Sequence, residues 1–174
     1  MQSIDLEARI PKRGESTDTR PEAGSAGAVL VAVDFSPDAE AALIWACKHA
    51  ETVGAALEVL HVVHDPADSP GTYKPEGDDP LEPMIDVARR RLSRFLDRVA
   101  RDNPDLAGLG AAKSLCVQGL PAATILEVAR SHRSGLLVLG GGHRNGLERL
   151  LHGSTSRQVA GQAQLPVTIV KSNG

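Results

Sequence analysis

A chain of 174 residues with 19 basic and 22 acidic groups (net charge −3) suits one domain with a sizeable core, and offers no general attraction to nucleic acid or an anionic membrane. Aromatic residues make up 2%, so stacking platforms for single-stranded nucleic acid are scarce and the core must be built from Val, Leu, Ile and Ala. Cys47 and Cys116 lie far apart in apolar surroundings, as free thiols in a reducing compartment do, and no apolar run approaches the roughly 20 residues that span a bilayer.

Residues 1–26 are polar, mixed in charge and without periodicity; they read as a mobile tail rather than a secretory signal, and a cytoplasmic location follows as the expectation. A domain over 27–172 begins with the apolar run Ala28–Val33, a strand buried on both faces, which ends at Asp34. Ser36 and Pro37 then supply a helix cap and a first-turn proline. Ala39, Leu43, Ala46 and Ala50 share one face of a helix that runs to about Thr52 and is stopped by Gly54. Leu57–Val63 is the second strand, and the proline-rich segment 64–80 a long loop.

The second helix spans about Leu81 to Arg101, with Met84, Ile85, Ala88, Leu92, Phe95 and Val99 inward. Its arginine-rich outer face is expected to be solvated and laced by pairs such as Asp86–Arg90. Ala111–Gln118 is the third strand, and Gly119-Leu-Pro121 turns into a third helix facing inward through Ala122, Ile125, Leu126 and Ala129. Leu136–Leu139 is the fourth strand, Ser154 to about Gln162 the fourth helix, and Leu165–Val170 the fifth strand. Alternating, near-continuously apolar strands and amphipathic helices specify an α/β fold, an open five-stranded parallel sheet with helices on both faces.

Chemistry in such sheets sits beyond the carboxyl ends of the strands, where strand order reverses. The stretch from Gly140 to Thr155, GGGHRNGLERLLHGST, runs from a strand end through glycines to hydroxyls at a helix start. Backbone N–H groups there approach an anion without an intervening Cβ, and the helix terminus adds donors and a positive dipole end. Standard nucleotide motifs do not fit. Asn145 interrupts G-x-G-x-x-G, and Leu147-Glu148 stands where a P-loop carries Lys-Ser/Thr. There is no G-x-S-x-G elbow, and the third strand ends in Gln118-Gly119 rather than an acceptor Asp. His61 and His64 fall on opposite sides of the second strand, which argues against a metal pair; His132 and His152 read as surface residues.

Three matches make the chain resemble the universal stress proteins: Val31-Ala-Val-Asp-Phe-Ser36, Leu60-His-Val62, and Gly140–Ser154 followed by Leu165–Val170. Gly119-Leu-Pro-Ala122 with Ile125-Leu126 also fits, and the resemblance covers about residues 28 to 171. It implies strand order 3-2-1-4-5, so that Asp34 and the glycine stretch share one crevice, and a homodimer through the last strand, Pro166–Val170. It also implies an ATP or AMP site, with Mg²⁺ carried by the nucleotide, built on the pattern G-x2-G-x9-G-[ST]. Gly140, Gly153 and Ser154 occupy that pattern, while the second glycine is His143, preceded by Gly142.

Carried over, the resemblance implies that Asp34 meets the nucleoside, Val62 the base, Ala32 the adenine side and Gly140 the ribose. Gly141 and Gly142 give the loop freedom, and Gly153, Ser154 and Thr155 hold phosphates. Arg144 is placed to neutralise phosphate charge, and His143 stands beside the phosphates as a donor or an obstruction. The expected function is a dimeric, ATP-binding stress-response regulator rather than an enzyme, with a universal stress protein that holds no nucleotide and serves as an interaction module as the alternative. A related ATP pyrophosphatase would carry S-G-G-x-D-S after the first strand, where this chain has Asp34-Phe-Ser-Pro37.

Overall fold

The computed structural model describes residues 27–64, 83–141 and 155–172. The elements, in order, are β1 (Val29–Ala32), α1 (Pro37–Val53), β2 (Leu57–Val63), α2 (Met84–Asp102), β3 (Lys113–Gln118), α3 (Pro121–Ser131), β4 (Leu136–Gly140), α4 (Thr155–Gln162) and β5 (Val167–Val170). The five strands form one parallel sheet in the order β3-β2-β1-β4-β5. Fold class and strand order are those expected. The proposed tail 1–26, most of the long loop, Leu81 and the span 142–154 lie outside the described residues.

Strand alternation divides the core in two. Val29, Val31, Val33, Val59 and Val138 meet α1 and α2 on one face. Leu30, Ala32, Leu60, Leu137 and Leu139 meet Ile125 and Val128 of α3 and Val159 of α4 on the other. All four residues of β1 are buried, as a strand covered on both faces requires. α1 starts as its sequence dictates: the Ser36 hydroxyl accepts from the Ala39 N–H at 3.2 Å, Pro37 follows, and Gly54 at φ 66° closes the helix in the left-handed conformation.

Three details differ from expectation. A 3-10 turn, Ala107–Ala111, occupies the approach to β3, because Leu109 is drawn into the core and the Gly108 N–H donates to Glu51 Oε1 at 2.7 Å. β5 begins two residues late, since Pro166 has no N–H to give the ladder and contributes only its carbonyl, which accepts from Leu137 at 3.0 Å. Asp86 pairs with Arg89, three residues on in the same helix, at 3.1 Å. His132 is no plain surface residue: its Nδ1 lies 2.6 Å from Glu58 Oε2, and Lys113 Nζ stands 3.6 Å from the other carboxylate oxygen.

β4 ends where α1 begins. A Cβ on Gly140 would lie 2.8 Å from both the Ala39 nitrogen and the Asp38 carbonyl carbon, closer than packing allows. Gly161, inside α4, faces open space. Gly140→Ala is therefore expected to destabilise the fold by about 1–3 kcal/mol, and Gly161→Ala to stabilise it by about 1 kcal/mol, in urea unfolding followed by circular dichroism. Equal midpoints for the two variants would contradict the close approach.

Candidate nucleotide site at the sheet switch point

β1 lies between β2 and β4, and the chain leaves β1 toward one side of the sheet and β4 toward the other. The crevice between their carboxyl ends is the switch point at which such sheets hold ligands. Ala32 pairs in register with Leu60 on one side and Leu139 on the other. Ala32 and Val62 both pack on the α3–α4 side of the sheet. Ala32, Val62, Asp34 and Gly140 thus gather at one end of three adjacent strands.

Asp34 begins the turn from β1 to α1. Its Oδ1 accepts from the Ser36 N–H at 3.1 Å, and the Ser36 hydroxyl caps α1 in turn. The carboxylate therefore has a role in the turn itself, at an exposed position. Between these two residues Phe35 sits at φ 66°, a conformation that costs a bulky side chain about 1–2 kcal/mol. Its ring is held on three sides. The His61 ring lies 4.3 Å away, Phe95 meets it edge-on at 5.5 Å, and the Arg91 guanidinium stands 4.7 Å from its centroid. Aromatic and cation–π contacts of this kind offset the backbone strain.

His61 binds the same turn through its Nδ1, 2.8 Å from the Val33 carbonyl oxygen. A carbonyl only accepts, so Nδ1 carries the proton and donates. Burial pushes the imidazole below its ordinary value, partly offset by the Val33 carbonyl. The sequence singled out His61 only to dismiss it as a metal ligand, yet it fastens the β1–α1 turn. Among the described residues no cluster of three or more His, Cys, Asp or Glu could hold a metal ion.

Asp38 is a second residue that sequence reasoning missed. An acidic residue in a first helical turn reads as a favourable dipole partner, nothing more. Here it is only 1% exposed, and its Oδ1 accepts from the Ser172 N–H at 2.8 Å and from the Ser172 hydroxyl at 2.6 Å. Gly141 N–H donates to the Val170 carbonyl at 2.7 Å, and a Cβ on Gly141 would come within 2.8 Å of Lys171 Cγ. The start of the glycine stretch, the start of α1 and the end of β5 are thus one packed unit. Gly140 needs its bare backbone for this contact, whatever else it does. Thr155 is exposed at the first position of α4; Gly142, His143, Arg144, Gly153 and Ser154 lie outside the described residues.

The lowered pKa of His61 has a definite sign. The unfolded state takes up a proton near pH 6.5 and the folded state only below that, so stability is complete above pH 6.5 and declines as pH falls. His61→Asn, which keeps an amide donor without a titrating ring, should show a shallower loss of urea midpoint between pH 7 and pH 5 than the native chain. Parallel slopes would contradict the assignment.

Among the described residues no helix is long and apolar enough to cross a membrane. A universal stress protein of Thermus aquaticus is 30% identical over 143 residues, 82% of this chain and 97% of its own length. The universal stress protein UspA from Lactobacillus plantarum has the same fold with a TM-score of 0.58 at 27% identity, over 84% of this chain and 98% of its own. A universal stress protein from Archaeoglobus fulgidus, solved in complex with dAMP, matches with a TM-score of 0.53 at 25% identity, over 83% and 98% of the two chains. The sequence model of the universal stress protein family matches residues 26–171, and this chain belongs to that family.

Proposed function

We propose that this chain holds an adenine nucleotide at the β1–β4 switch point and acts as a dimeric regulatory protein rather than a catalyst. The observation that carries the reading is the convergence of Asp34, Ala32, Val62 and Gly140 on one crevice, at the start of the glycine stretch. The Archaeoglobus relative solved with dAMP lends it chemical direction. In this reading Asp34 hydrogen-bonds the nucleoside with its carboxylate, while Ala32 and Val62 form the apolar bed of the base. Gly140 and Gly141 present backbone groups at the end of β4 to the ribose. Gly142, His143 and Arg144 carry the loop past the phosphates, which rest on Gly153, Ser154 and Thr155 at the start of α4. ATP brings Mg²⁺ through its own phosphates; AMP needs none. The cytoplasm is the compartment proposed.

The dimer of this reading uses the β5 edge, Pro166–Val170. Among the described residues β5 has a partner strand on one side only, and Ile169 is 45% exposed. An apolar sheet edge of this kind favours pairing with a second chain.

His143 in the place of the second pattern glycine favours the alternative, an interaction module without nucleotide. Calorimetry and thermal shift with ATP, AMP and dAMP separate the two. The proposed function predicts saturable binding, a stabilisation of about 2.7 kcal/mol at one hundred times Kd, and its loss in Gly153→Asp. His143→Gly should bind no more tightly than the native chain if the imidazole serves a phosphate, and distinctly more tightly if it obstructs one. No binding by the native chain at millimolar nucleotide would overturn the reading.

A further inference from the structure

At the opposite end of the sheet from the crevice, a cavity of about 590 Å³ opens between α3, the turn after it, and the α4–β5 connection. Its apolar lining comes from Leu126, Ala129 and Leu165. Its polar lining is unequal in charge, with Arg130 and Arg133 against Glu127, beside the amides of Gln162 and Gln164.

Two observations mark it as more than a surface groove. Ser134 lines the cavity, and its hydroxyl is buried with no hydrogen-bond partner among the described residues. A buried hydroxyl without a partner is costly and calls for an explanation. The second is the backbone of Arg133. α3 ends in a Schellman motif: the Arg133 N–H donates to the Arg130 carbonyl at 3.1 Å and the Ser134 N–H to the Ala129 carbonyl at 2.9 Å. The residue in the left-handed position of that motif is ordinarily glycine. Here it is Arg133, at φ 53°. The chain thus carries an arginine next to Ser134, on the wall of the same cavity, at a position where a side chain is a backbone penalty.

We propose that this cavity binds a small amphiphilic carboxylate, with the apolar part against Leu126, Ala129 and Leu165. The carboxylate is received by Arg133, Arg130 and the Ser134 hydroxyl. Concave sites of this volume that set an apolar wall beside a few convergent polar groups suit small ligands. The excess of arginine over glutamate selects an anion, and the planar guanidinium fork matches a carboxylate. Glu127 on the rim opposes it. The inference does not rest on the nucleotide reading.

The full chain is titrated with octanoate and followed by backbone amide NMR, with 1-octanol, acetate and inorganic phosphate as comparison probes. Octanoate is expected to shift the amides of residues 129–134 and 162–165, and the other three probes to bind at least about tenfold more weakly. Arg133→Gly relieves the left-handed strain, so it should raise the melting temperature of the unliganded protein while weakening octanoate about tenfold. A merely structural arginine would lower both or leave octanoate unchanged. Ser134→Ala should weaken octanoate with the fold intact, and Glu127→Gln should tighten it. The proposal is overturned if octanoate produces no shifts at millimolar concentration, or if octanol binds equally well. It is likewise overturned if phosphate alone binds as tightly, if the Arg133→Gly affinity is unchanged, or if these amides report only self-association of the chain.

Discussion

The carboxyl edge of the sheet depends on one close approach, that of the first turn of α1 to the end of β4. With no Cβ at Gly140, the backbone at Asp38 and Ala39 comes within packing distance of β4. That contact fixes where α1 starts, and with it the direction of the turn that carries Asp34. It also buries Asp38, whose carboxylate then needs partners and finds them in the amide and hydroxyl of Ser172. A buried carboxylate left unpaired would be expensive, so this link ties the chain after β5 to the start of α1. The edge strand and the glycine stretch share the same fastening, because Gly141 also donates to Val170. An event in the crevice and a change at the β5 edge therefore act on one packed unit.

The β1–α1 turn itself is held against its own preference. Phe35 occupies a backbone region that bulky residues avoid, and strain of this kind persists only where the surroundings over-determine it. His61, Phe95 and Arg91 supply that surrounding, and His61 does so twice, through its ring and through its hydrogen bond to Val33. The turn is thus held by several contacts of the chain's own side chains. Pre-organisation of this sort lowers the ordering cost of binding, which supports the recognition role proposed for Asp34.

The layered fold was legible because the central strands β1 and β4 are covered on both faces and read as apolar runs, and because Ser36-Pro37 and Gly54 punctuate α1 by local rules. The order of the strands came only with the family resemblance, since periodicity says nothing about which strands are neighbours. The site was legible in part. Asp34 and Gly140 stand at strand ends, where position alone draws notice. Asp38 and His61 were not, because their roles are set by partners 134 and 28 residues away in sequence. Arg133 was illegible for a different reason: a left-handed backbone at a non-glycine residue leaves no mark in the sequence.

The central claim is that the switch-point crevice holds an adenine nucleotide. Native mass spectrometry of the purified chain tests it most directly, since it reports ligand mass and assembly together. The account predicts a dimer in which each chain carries the added mass of one adenine nucleotide, lost when the same sample is sprayed from denaturing solvent. A chain that carries no such mass as purified, and gains none after incubation with millimolar ATP and Mg²⁺, would contradict it.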